Sequence, residues 1–156
     1  MSRRRTVNKR ILLPDPVYKS DLIELIIRHL MKNGKKLLAY RIVYESMSKI
    51  AEITKRNPIK VLERAVRNVT PVLEVKARRK RGFTYQIPKE IIPERGTILA
   101  VRWILTACRK QTRKPMVDKL TKEILDASKK SGSAMKRKQE VHKMAEASKI
   151  FSRKIF

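Results

Sequence analysis

The sequence predicts a mainly α protein: a six-helix domain with one protruding β-hairpin and a basic N-terminal tail. Three observations carry that prediction. Apolar residues recur at helical spacing through most of the 156-residue chain. Between Pro71 and Pro88 the pattern changes to short runs rich in β-branched and aromatic residues, the signature of strands. The first 17 residues carry cations and the prolines Pro14 and Pro16 but no helical period. The organisation is then a basic extension over residues 1–17, a helical domain over 18–150 with its arm at 72–88, and a short tail at 151–156.

Asp21, with Glu24 three residues on, is placed to cap a first helix whose apolar side is Leu22, Ile26 and Leu30. Asn33-Gly34 supplies the left-handed residue that closes it. A second, longer helix is expected from Lys35 to about Lys55, with Leu38, Ile42, Val43, Met47, Ile50 and Ala51 along one stripe. Asn57-Pro58 reads as the N-cap and first residue of a third helix carrying Val61, Leu62, Ala65 and Val69. Thr70-Pro71 ends it, because a residue before proline avoids the α region.

Val72–Ala77 and Phe83–Ile87 are the two strands, joined by Lys80-Arg81-Gly82, where Gly82 can take positive φ. Pro93 to Gly96 reads as a turn, after which Thr97 caps a fourth helix with Leu99, Ala100, Trp103, Ile104 and Ala107 inward. Lys114-Pro115 opens a fifth helix with Val117, Leu120, Ile124 and Ala127 at helical spacing, and Ser131-Gly132-Ser133 breaks it. A sixth helix, from about Ala134 to Ser148, has a thinner stripe of Val141, Met144 and Ala145.

Charge sets the function class. Lys and Arg number 40 against 14 Asp and Glu, a formal net charge of +26. Self-repulsion on that scale calls for compensating anions close by, and a cleft for a small acidic substrate needs far fewer cations. A hydrophobic fraction of 42% supports a core and argues against wholesale disorder. No apolar run approaches the roughly 20 residues that span a bilayer, so no membrane partner is expected. The N-terminus lacks the apolar stretch of a secretory signal. Cys108 is the only cysteine, which excludes an internal disulfide and a cysteine-based zinc cluster.

The acids are unevenly spread. Stretches 1–14, 75–89, 95–117 and 127–139 contain none, and their convergence in space would make one broad cationic face. The basic clusters Arg3-Arg4-Arg5, Lys35-Lys36, Arg78-Arg79-Lys80-Arg81, Arg113-Lys114 and Lys136-Arg137-Lys138 fall at tails, tips and helix starts, where they reach a ligand without disturbing a core. A two-strand ribbon is marginal alone in water, so an arm this cationic points to a polyanion that holds it. Neutralising ten phosphates would give a log–log salt slope of roughly −7 to −9.

Catalysis is not indicated. The four glycines are too dispersed for a phosphate-cradling loop, and His29 and His142 lack the spacing of a metal pair, so no cofactor is called for. Arg109 beside Cys108 could lower the thiol pKa, but a small buried side chain is the better reading of that cysteine. Trp103 lies on an apolar stripe and is read as core. Phe83 and Tyr85 are the aromatics beside a basic cluster, too few for a base-stacking sheet. Recognition of a large folded RNA by backbone geometry and shape is therefore favoured. A DNA-bending protein is the runner-up; such arms insert an apolar wedge at the tip, whereas this tip is Lys80-Arg81-Gly82. An RNA-modifying enzyme would need a cofactor site that the sequence does not offer.

Over nearly its full length the chain resembles the small ribosomal subunit protein seven family, in its bacterial and organellar form. The segments that carry the resemblance are Arg3-Arg4-Arg5, Gly34-Lys35-Lys36, Ile42-Val43-Tyr44, Val69-Thr70-Pro71 and Val75-Lys76-Ala77-Arg78-Arg79. Thr84-Tyr85-Gln86-Ile87-Pro88, Ala100-Val101-Arg102-Trp103-Ile104 and His142-Lys143-Met144-Ala145-Glu146-Ala147 continue it.

The resemblance implies a structural protein that binds the 3′ major domain of small-subunit ribosomal RNA and organises assembly of the subunit head. It implies a hairpin near the exit-site transfer RNA and messenger RNA path, beside platform protein eleven. Carried over position by position, the implied RNA contacts are Arg3, Arg4, Arg5, Lys9, Arg10, Lys35, Lys36, Lys76, Arg78, Arg79, Arg95, Arg102, Lys136, His142 and Lys143. The basic clusters add Lys80, Arg81, Arg113, Lys114, Arg137 and Lys138. Lys36-Leu37-Leu38-Ala39-Tyr40 and Asn57-Pro58, with Val75-Lys76-Ala77-Arg78-Arg79, lean towards plastid members, so the chloroplast is the favoured compartment and the bacterial cytoplasm the alternative. The chain departs from bacterial members at the hairpin tip, where Lys80, Arg81 and Phe83 replace a small glycine-rich turn, and in residues 151–156.

Overall fold

The computed structural model describes residues 13–80 and 82–155. Six helices and one hairpin follow in the expected order: α1 (Asp21–Leu30), α2 (Lys36–Thr54), α3 (Pro58–Val69), β1 (Leu73–Lys80), β2 (Phe83–Glu90), α4 (Pro93–Lys110), α5 (Met116–Ser128) and α6 (Ser133–Ile155). The core lies among α1 to α5, with Ile23, Ile27, Met47, Ile50, Leu62, Leu105, Leu120 and Ile124 almost wholly withdrawn from water. α5 is central, packing on α2, α3 and α4, while α6 covers α4 and meets both strands.

Several boundaries differ from the sequence reading. α1 has Ser20 at its N-cap position and no side-chain cap, so Asp21 and Glu24 are first-turn acids rather than a capping box. Asn33 and Gly34 do take positive φ, 51° and 72°, but in the turn beyond the end of α1 at Leu30. α4 starts at Pro93, and Thr97 is an interior residue whose hydroxyl donates back to the Pro93 carbonyl at 3.1 Å. Pro93-Glu94-Arg95-Gly96 is therefore the first turn of the helix. Gly96 is glycine for space: a Cβ there would stand 2.9 Å from Thr70 Cγ2, where the exit of α3 meets the start of α4. α6 continues to Ile155, well past Ser148.

Other expectations hold. Asn57 Oδ1 accepts the Ile59 N–H at 3.0 Å with Pro58 as the first helical residue, and α3 stops at Val69 before Thr70-Pro71. Two inward assignments change: Leu38 is half exposed and Met144 is exposed. Trp103 packs against the core, partly buried like Leu22, Ile42 and Val61.

The end of the N-terminal extension is pinned by a carboxylate. Asp15 is fully buried, accepting the Val17 and Tyr18 N–H groups and the Tyr44 hydroxyl at 2.8 Å. Burial, then the hydrogen bond to Asp15, raises the Tyr44 pKa, so this phenol stays a donor.

Candidate nucleic-acid interface

β1 and β2 pair antiparallel from Leu73↔Glu90 to Lys80↔Phe83, leaving residues 81–82 to connect them, with Gly82 at φ 84°. Both strands are longer than the sequence indicated. The run from Lys76 to Lys80 is too charged to alternate, so backbone pairing with the apolar and aromatic opposite strand defines it. None of the described side chains between Val72 and Glu90 is buried. Among its described residues the ribbon buries no core of its own, and it packs on α6.

Its base is a polar joint. Glu74 receives Arg95 Nε at 2.9 Å and Lys76 Nζ at 3.2 Å. Burial alone would raise the Glu74 pKa, but hydrogen bonds from Arg95 and Lys76 outweigh it and hold the carboxyl below its ordinary value. On the other side of the joint His142 Nε2 accepts the Val72 N–H at 3.3 Å. Burial and then the Lys138 charge lower the His142 pKa, against a smaller opposing effect of Glu146, which suits an imidazole acting as acceptor. Ile91 N–H to Val72 O, at 3.1 Å, closes the two feet of the ribbon together.

Several predicted contacts thus work inside the chain. Lys76 and Arg95 share Glu74, and His142 holds the hairpin base. Lys36 reaches the buried Glu24 at 3.7 Å and lies 5.3 Å from the centre of the Tyr40 ring, beside Arg28 at 3.2 Å and the Tyr40 hydroxyl at 2.8 Å from the same carboxylate. Lys138 Nζ donates to the Asn68 carbonyl at 2.6 Å, and burial lowers its pKa. Arg137 pairs with Glu140 at 3.0 Å. Arg78 and Arg79 on the arm, Lys136 and Lys143 on α6, Arg102 on α4, Lys35 before α2, and Arg113 and Lys114 before α5 present exposed side chains.

The packing of α4 and both strands on α6 brings the arm, Arg95 and Lys143 into one neighbourhood. Arg113 and Lys114 instead precede Met116, which lines a groove together with Lys35. Arg3, Arg4, Arg5, Lys9, Arg10 and Arg81 lie outside the described residues, as do the side chains of Lys80, Phe83 and Tyr85.

Sequence reasoning passed over Arg109. Its Nη2 donates to the His29 and Leu30 carbonyls at 2.9 and 3.4 Å, satisfying the exposed C-terminal end of α1. Only its neighbour Cys108 had drawn attention to it. That thiol is fully buried and donates to the Lys119 carbonyl at 3.6 Å. Burial, then Glu123, pushes its pKa up to about 12, and the opposing Arg109 charge is a minor effect. Cys108 is a core residue.

The molecule is a basic helical bundle that props a two-strand arm on its last helix, with many exposed cations and three buried carboxylates, Asp15, Glu24 and Glu123, at internal joints. Comparison with known proteins makes the class specific: residues 2–149 match the family described as Ribosomal protein S7p/S5e. The small ribosomal subunit protein uS7c of Prototheca wickerhamii is 65% identical over the full length of both chains. That of Chlorella vulgaris is 58% identical over 98% of each, and the cyanobacterial uS7 of Gloeothece citriformis 49% over 97% of each. The chain belongs to the ribosomal protein S7p/S5e family, and it is a structural protein of the ribosome rather than an enzyme.

Proposed function

We propose that the protein is a structural constituent of the small ribosomal subunit of a plastid, where it binds the 3′ major domain of the small-subunit RNA and organises assembly of the head. The observation that carries the RNA reading is the arm. From Val75 to Lys89 it holds no acid, exposes Arg78 and Arg79, and buries none of its described side chains, so it needs an external polyanion. The bundle supplies further exposed cations at Lys35, Arg102, Lys136 and Lys143. Family likeness supports a position of the hairpin near the exit-site transfer RNA and messenger RNA path, beside platform protein eleven. The algal relatives named uS7c support the plastid compartment, with the bacterial cytoplasm as the alternative that the cyanobacterial relatives keep open.

Binding of the full chain to a folded 3′ major-domain RNA fragment and to duplex DNA of equal length, over a salt series, tests this. Selective RNA binding with a steep salt dependence, and co-sedimentation with small subunits until high salt, are the expected results. Equal affinity for the duplex would overturn it.

A further inference from the structure

A second feature stands apart from the arm. Where the C-terminal ends of α1 and α4 meet the beginnings of α2 and α5, the surface opens into a groove of about 320 Å³. Its floor is aliphatic, formed by Leu30, Leu38, Ile42 and Met116. Lys32, Lys35 and Arg109 supply its charge, and no carboxylate lines it. Arg109 is already fixed in place by its bonds to the end of α1. Leu38 is 50% exposed and Met31, also in the lining, 37%, so apolar surface is left in water beside three cations.

Resting on the RNA reading above, we infer that this groove receives a single unpaired nucleotide extruded from its strand, with the base on the aliphatic floor and its phosphate towards Lys32 and Lys35. A nucleotide combines a flat, weakly hydrated face with an anionic link, which matches an apolar floor edged by cations. Arg109 adds a planar guanidinium at the lip, a group that packs on base faces as well as on phosphate. An acidic amphipathic peptide is the competing occupant. A docked helix needs a long furrow for anchors at i, i+3, i+4 and i+7. At about 320 Å³ this concavity has the size of a small-ligand site, at the lower end of the roughly 300–1,000 Å³ range. Extrusion costs least where a base is already unpaired, so the groove selects bulges and junctions. The arm follows backbone shape; the groove would fix register.

The test compares three forms of one RNA hairpin: one bulged adenosine, the same bulge made abasic, and no bulge. The full chain, labelled at its methionine methyls, should bind the adenosine form about tenfold more tightly than the abasic form, the gain expected from burying part of one base. The Met116 methyl should move upfield under the ring current of the base, and stay put with the abasic RNA. Leu38→Ser and Met31→Ser, at exposed positions, should each bring the affinity ratio close to one. Equal affinity for the bulged and abasic forms with an unmoved Met116 signal would overturn this inference while leaving the RNA reading intact. Failure to bind any of the RNAs would overturn both. Saturation of the groove by an acidic leucine-bearing peptide, with no response to the bulged adenosine, would assign it to a protein partner and overturn the proposal.

Discussion

In the bundle, three buried carboxylates, Asp15, Glu24 and Glu123, each bind a group from another part of the chain. Asp15 holds Tyr44, Glu24 gathers Arg28, Lys36 and Tyr40, and buried Glu123 accepts the Ala134 N–H at 2.8 Å at the start of α6. In the arm the order is reversed. Its carboxylates, Glu74 and Glu90, sit at the base, where Glu74 pairs with Lys76, and the described cations Arg78 and Arg79 farther out are exposed. Buried acids thus serve as joints in the bundle, whereas the only acids of the arm are at its foot, where Glu74 meets Lys76 and Arg95. Burial decides the difference: a desolvated carboxylate surrounded by donors is a strong joint, whereas an exposed cation contributes little to the fold.

The largest expected effect is in the core. Leu120→Ala, at a site 1% exposed, should cost about 2–5 kcal/mol in chemical denaturation. A value near zero would mean that α5 is not the centre of the bundle. Next is Glu24→Ala, which leaves the Tyr40 hydroxyl without its acceptor and should cost roughly 1–3 kcal/mol. If the loss matched that of an exposed acid such as Glu63, the carboxylate would not be a joint at all.

A smaller effect comes from pH at the foot of the arm. The folded-state pKa of His142 lies below its ordinary 6.5, so the unfolded chain takes up this proton first. Its contribution is complete above about pH 6.5 and declines as pH falls towards the folded value. His29 shares the sign, lowered by burial and then by Arg102 and Arg109. Melting temperatures at pH 7.5 and 5.5 should therefore differ less for His142→Gln than for the unmodified chain. An equal difference would remove His142 from the joint. Smallest of all in stability is Arg79→Ala, within about 0.5 kcal/mol. In RNA titrations the same change should reduce the magnitude of the salt slope by about one. Destabilisation as large as that of Leu120→Ala would erase the distinction between bundle and arm.

Much of the bundle is legible from periodicity, because helices that share one core must repeat their apolar residues every three or four positions. Pro58 and Pro71 mark the ends of α3 for a local reason, and local reasons are visible in sequence. Pro93-Glu94-Arg95-Gly96 misled for the opposite reason: Gly96 is required by contact with Thr70, across the whole hairpin, so a packing glycine passed for a turn glycine. Asp15 was hidden in the same way, its partner Tyr44 being 29 residues on. The candidate interface was legible as composition but not as individual roles. Clustering cannot separate Arg79, which faces water, from Lys76 and Arg95, which meet Glu74, or from Lys138, which serves a backbone carbonyl. Leu38 shows the limit on the apolar side: its helical spacing matches the stripe of α2, yet it lines an open groove rather than packing under a neighbouring helix.

The bond between Ile91 and Val72 has a topological consequence. Because the chain leaves the bundle and re-enters it at one point, everything from Leu73 to Glu90 is a detour with no net displacement. Residues can be added to or removed from its far end in matched pairs, preserving register, without any helix having to move. The reach of the far end can therefore change while the feet of the ribbon and the scaffold stay the same.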